Sequence, residues 1–178
     1  MSRSMFMTLA TTLTLSSFLS VPAMAKDFKS SDDFAKQATI SGLFEIKSSE
    51  LALTKSKDEQ VRALAKQMIA DHTKANEELK AALKTSKMDI TMLPSALDDA
   101  HQKVYDSLVN SSDLNFDDQY MEAQDDAHEE AIALFKSYID KGDSTALKQF
   151  AEKTLPTLQM HEKHVEQVDD DIDDDTND

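Results

Sequence analysis

VRALAKQMIADHTKANEELKAA, residues 61–82, decides the fold. Val61, Leu64, Ala65, Met68, His72, Ala75, Leu79 and Ala82 recur at three- and four-residue steps, so they form one continuous face of an α-helix. Polar residues occupy the opposite face, and Asp58 stands ready to cap the start. One member of the apolar face is a histidine.

Working outward, the same period predicts three more long helices. Ser31 or Asp32 caps the first, whose inward stripe is Phe34, Ala38, Ser41, Glu45, Ser48 and Ala52. Gly42 weakens that helix by about 1 kcal/mol relative to Ala unless a close helix contact uses the gap. The second helix fades near Met88, and Ser95-Ala96-Leu97-Asp98 reads as a capping box for a short helix through His101, Val104 and Leu108. Ser112 or Asp113 caps the next long helix, with Phe116, Tyr120, Met121, Gln124, His128, Ala131, Ile132 and Phe135 facing inward. Lys141-Gly142 ends it. Asp143 or Ser144 caps the last, whose stripe is Leu147, Phe150, Ala151, Leu158, His161, Val165 and Val168, with Pro156 expected to kink it. Met68, Met121 and Met160 read as filler between helices, and Tyr120 as a core residue whose hydroxyl is hydrogen-bonded. The expected fold is all-α: a four-helix bundle with an extra short helix in the connection between the second and third long helices.

Composition agrees. The chain has only 2 glycines and 3 prolines in 178 residues, so little of it is built for turns. It has no cysteine, which excludes disulfides and thiolate metal sites. A net charge of −15 argues against nucleic acid and anionic lipid surfaces, which need cationic patches. Arg3, the apolar run from Met5 to Val21 and Ala23-Met24-Ala25 read as a cleavable export signal over residues 1–25. The expected location is the periplasm or outside the cell, with no transmembrane segment in the mature chain. A bundle domain over 26–168 follows, then a disordered acidic tail over 169–178. A monomer or weak dimer is expected, with a metal ion or an envelope protein as candidate partner.

Glu45, His72, His128 and His161 each fall on the inward stripe of a different helix. At about 1.5 Å rise per residue they lie near mid-height, spread over about 7 Å if the connection crosses the bundle and about 10 Å if it does not. Three imidazoles and a carboxylate suit zinc, iron, copper or nickel. Asp71 and Asp118 are placed to orient imidazoles, Gln124 and Asp125 stand one turn before His128, and His164 one turn after His161. The alternative is a structural or interaction protein of the cell envelope, in which these residues form a buried polar network or a His–Glu ion pair that fixes helix register. Such an ion pair would raise the histidine pKa and lose stability above it. A di-iron enzyme requires Glu-x-x-His pairs, and the chain has none. Nucleophile-elbow and phosphate-loop motifs are also absent, so an enzyme is the less favoured reading.

Phe34 through Glu45, Met68-Ile69-Ala70-Asp71-His72, Phe116-Asp117-Asp118-Gln119-Tyr120, His128-Glu129-Glu130, and Leu155-Pro156-Thr157-Leu158 with His161 together resemble the domain of unknown function 4142 family. The resemblance covers roughly Ser31 to Val168. It implies an exported bacterial protein with a ferritin-like helical bundle, of a kind often labelled an outer-membrane protein. It implies no established activity.

Overall fold

The structure is a computed structural model, in which residues 30–176 are described. The expected export signal and the first residues after it lie outside the described residues. The helices are α1 (Ser31–Lys55), α2 (Glu59–Thr85), α3 (Asp99–Asn110), α4 (Phe116–Lys141) and α5 (Thr145–Thr176), with one 3₁₀ turn at Ile90–Met92. The described residues contain no strand, and no helix among them is long and apolar enough to cross a membrane.

Caps set the starts. Asp58 accepts from the backbone N–H groups of Gln60 and Val61, as expected. The first cap is Ser30, one residue earlier than expected, because its hydroxyl accepts from the Asp33 N–H. Ser31 is thereby freed to bond Tyr138 and Asp143 across the bundle. Asp98, not Ser95, caps α3. Asn115 precedes α4 without a side-chain cap, in place of Ser112 or Asp113. The Ser144 hydroxyl accepts from the Leu147 N–H at the start of α5. That helix runs on past Val168 to Thr176, so the stretch expected as a disordered tail is helical through Thr176. Ile172 extends the stripe of Val165 and Val168 and packs on the core, which gives these turns an apolar anchor.

Two contacts define the topology. At one end, Lys55 donates through Nζ to the carbonyls of Leu108, Val109 and Ser111 and lies over the Phe116 ring. The start of α4 therefore sits beside the α1–α2 turn. At the other end, Ser31 meets Tyr138, and the Ser86 and Ser144 hydroxyls are 2.7 Å apart. The connection from α2 to α4 thus traverses the bundle and lays α3 against α1 and α4. Each helix runs antiparallel to its neighbours around the ring, while α2 and α4 run the same way. This is the crossover bundle of ferritin-like proteins.

The core falls into two apolar halves. Phe34, Leu79, Leu83, Phe135, Tyr138, Leu147 and Phe150 fill one, with the Phe34 and Tyr138 rings stacked 3.9 Å apart. Phe44, Leu64, Met68, Phe116, Tyr120, Met121 and Val165 fill the other. Full burial of each such side chain contributes about 1.5–3 kcal/mol. Met160 is no filler: it is 46% exposed. Val104, expected inward, is also largely exposed.

Three backbone positions carry special demands. A Cβ on Gly42 would lie 2.7 Å from the Asn76 amide, so the helix gap is used by α2. Gly142 has an ordinary φ of −61°, so it is no left-handed cap; a Cβ there would strike the Tyr138 carbonyl and ring. Lys87 holds the left-handed position at the end of α2, with φ 56° and a Met88 N–H to Leu83 carbonyl bond. Lys87→Gly is expected to raise the unfolding free energy by about 0.5–1 kcal/mol in urea titrations, because glycine bears no left-handed penalty. Gly142→Ala is expected to lower it by roughly 1–3 kcal/mol, because the new methyl meets backbone and ring.

Candidate metal centre

Between the two apolar halves lies a polar layer with one side chain from each long helix. Glu45 comes from α1, His72 from α2, His128 from α4 and His161 from α5. Glu45, His128 and His161 are wholly buried and His72 is 4% exposed. The three imidazole rings form a near-equilateral triangle with centroids 5.6, 5.3 and 5.4 Å apart. One nitrogen from each lies within 4.8 Å of the other two. Glu45 Oε2 is 3.3 Å from His72 Nε2 and 3.3 Å from His128 Nε2.

Hydrogen bonds on the outer side set how the rings point. His128 donates through Nδ1 to the Gln124 carbonyl at 2.7 Å. A carbonyl can only accept, so that nitrogen carries the proton and Nε2 keeps its lone pair. His161 donates through Nε2 to Asp71 Oδ2 at 3.0 Å, leaving Nδ1 unprotonated. Imidazoles that ligate metals are commonly held this way, with the distal N–H on a carbonyl or carboxylate.

The inner atoms are orphans. Nε2 of His72 and His128, Nδ1 of His161 and both oxygens of Glu45 are buried without a hydrogen-bond partner. The short Glu45–histidine distances do not carry hydrogen-bond geometry. An unpaired buried polar atom costs about 1–3 kcal/mol, so five at one place call for an explanation. A metal with ligand bonds near 2.0–2.2 Å holds tetrahedral neighbours roughly 3.4 Å apart, close to the 3.3 Å pairs here. The donor types and the Glu45–histidine spacings therefore match those a transition-metal ion takes, while the imidazole nitrogens lie within 4.8 Å of one another.

Burial also sets the charge states. Desolvation pushes Glu45 well above the usual carboxylate range, and the nearby Ser41 hydroxyl opposes it. Desolvation, with the neighbouring imidazoles, pulls His72 well down. It pulls His128 down to about 4, against the raising effect of the Gln124 carbonyl. His161 is lowered too, although Asp71 opposes it. The expectation of a His–Glu ion pair with a raised histidine pKa is thus corrected: the ring nitrogens stay neutral because nothing pairs with them well enough to offset desolvation.

The other candidates separate cleanly. Asp71 orients an imidazole, but that of His161 on α5 and not its neighbour His72. Gln124 is buried and contributes its backbone carbonyl, while its amide donates to Ser48 Oγ. Asp118 is exposed and orients nothing in the layer. Asp125 lies among Glu129, Asp126, Glu162 and Glu166 at the rim of α4 and α5, outside the imidazole triangle. His164 is half-buried on the outer side of α5, beside Met160 and Lys163. His101 is held by Asp98 and stacks edge-on against Phe44, away from the layer. Ser48, on the inward stripe as expected, and Ser49, which that stripe left out, tie α1 to Gln124 and Tyr120. The place of Ser49 beside Ser48 and one turn after Glu45 on the buried side of α1 is the signal that would have found it. The Tyr120 hydroxyl has its expected partner in Ser49 at 2.8 Å.

No curated protein and no solved structure matches the chain. A family model, described as a domain of unknown function, DUF4142, matches residues 17–168, which takes in all four ligand candidates and both apolar halves of the core. The chain therefore belongs to the DUF4142 family.

Proposed function

We propose that this protein is exported and binds one divalent transition-metal ion, zinc, iron, copper or nickel, through His72, His128, His161 and Glu45. The single observation that carries the reading is the set of five inward-facing nitrogen and oxygen atoms with no hydrogen-bond partner. A self-sufficient polar network would hydrogen-bond these atoms to one another, and the 3.3 Å contacts of Glu45 lack that geometry. The outer bonds of His128 and His161 support it as well, since each leaves a lone pair facing the centre. Nitrogen and carboxylate ligands need no cysteine, which suits an oxidising compartment. The export part of the reading is supported by Arg3, the apolar run to Val21 and the Ala23-Met24-Ala25 site. Four protein donors around one ion leave little room for substrate, so the reading favours metal binding over catalysis.

Elemental analysis of protein purified without a histidine tag tests this. About one equivalent of metal per chain is expected, lost in His128→Ala. At a hundredfold excess of metal over Kd the stabilisation is about 2.7 kcal/mol, or roughly 5–10 °C in Tm. Trace metal that His128→Ala leaves unchanged would leave a buried polar network as the better reading.

The stripped protein has its own pH signature. The histidine pKa values are lowered on folding, so the unfolded chain binds more protons below about pH 6.5 and stability falls on acidification. Glu45 is shifted the other way, so the folded chain holds its proton and stability falls as pH rises above the unfolded value of 4.5. Three histidines outweigh one glutamate at lower pH, so together these four groups make stability rise from acid toward pH 6.5, the unfolded histidine value. Above it the decline is at most about 1.4 kcal/mol per pH unit. Urea midpoints against pH should show that decline in chelated wild type, but not in Glu45→Gln or in metal-loaded protein.

A further inference from the structure

The polar layer is sealed by the two apolar halves above and below it, so an ion must come in from the side, between helices. We propose that a divalent cation enters through the seam between α2 and α5, and that Asp71 is the carboxylate that first takes it. This inference rests on the metal-binding reading above.

Two groups bond the outer nitrogens of the cluster. The Gln124 carbonyl belongs to a wholly buried residue. The Asp71 side chain, by contrast, is 35% exposed while its partner His161 is 0% exposed. The His161 ring is therefore the partition between water and the centre, with Nε2 on Asp71 outside and Nδ1 unpaired inside. A cation captured by Asp71 competes with the Nε2–H for the same carboxylate. Once that bond is given up, nothing else the hydrogen bonds show holds the ring, and it can turn to admit the ion.

The α5 side of the seam is also the weaker wall. Pro156 lies inside α5, five residues before His161, and has no N–H to give to the preceding turn. A helix bends most readily at such a position. An ion pair across the seam, Lys153 with Glu78, has a lysine that is 66% exposed, and exposed pairs hold weakly. The competing route lies between α4 and α5, where Asp125, Glu129, Glu162 and Glu166 crowd together. Those carboxylates repel one another, but among the described residues none is bonded to an imidazole of the cluster.

Stopped-flow uptake of cobalt(II) by the chelator-stripped full chain tests the route. Asp71→Asn keeps an acceptor for the His161 N–H and removes the charge. It is expected to load about tenfold more slowly at low ionic strength, with the gap to wild type narrowing in high salt and the final stoichiometry unchanged. Asp125→Asn is expected to load like wild type. Pro156→Ala restores the missing backbone bond and is expected to slow uptake and release together; if Asp71→Asn does not fold, Asp71→Ser, which also removes the charge, takes its place with the same expected slowing, and loading at the wild-type rate overturns the inference in the same way. Uptake by Asp71→Asn at the wild-type rate would overturn the inference and leave the metal site standing. Slowing in Asp125→Asn alone would also overturn it and move entry to the α4–α5 side. Failure of the wild-type chain to take up any metal would instead bring down the metal-binding reading itself.

Discussion

Everything in this bundle is arranged around the burial of four ionisable side chains in one layer. Glu45, His72, His128 and His161 give up water without gaining hydrogen bonds on their inner atoms. Two apolar halves flank them and hold the layer dry. The same dryness drives all four groups toward their neutral forms. A layer of this kind is unfavourable by itself, and it persists because the packing on both sides is extensive and the outer bonds fix each ring.

Registration of the helices is what brings the four side chains level. Lys55 pins the end of α1 to the last turn of α3 and to Phe116. Ser31, Tyr138 and Asp143 pin the start of α1 to the α4–α5 turn at the far end. Ser48 and Ser49 fix the middle of α1 against Gln124 and Tyr120. A slip of one turn along any helix moves its side chain by about 5.4 Å, which exceeds the 4.8 Å span of the imidazole nitrogens. Gly142 belongs to the same system: its missing side chain lets the α4–α5 turn close over Tyr138, whose ring stacks on Phe34.

The set of side chains in this layer differs in kind from the carboxylate-bridged centres of di-iron bundles. Those use four glutamates and two histidines, with charge enough to hold two cations. Here the layer holds three imidazoles and a single carboxyl group, and burial drives all four toward their neutral forms. The dense negative charge of the chain lies outside, on residues such as Asp125, Glu129, Glu162 and Glu166. It raises the local concentration of cations without adding ligands to the interior.

The sequence by itself determined the helical period, the number of long helices and which face of each points inward, because those depend on residue spacing alone. Nearly every stripe residue of α4 and α5 is buried as the spacing predicts. It also named the four side chains of the layer, since an ionisable residue on an apolar stripe stands out without coordinates. It could not place the caps at Ser30, Asp98 and Asn115, where neighbouring polar residues compete on nearly equal terms. It could not extend α5 past Val168, because the hold of Ile172 on the core is a contact between helices. Only the tertiary structure decided that the connection crosses the bundle, that Asp71 serves His161 and not the adjacent His72, and that Asp118, Asp125 and His164 stand apart. Adjacency along a helix turns side chains about 100° from one another, whereas the pairings that matter here run between helices and depend on their register.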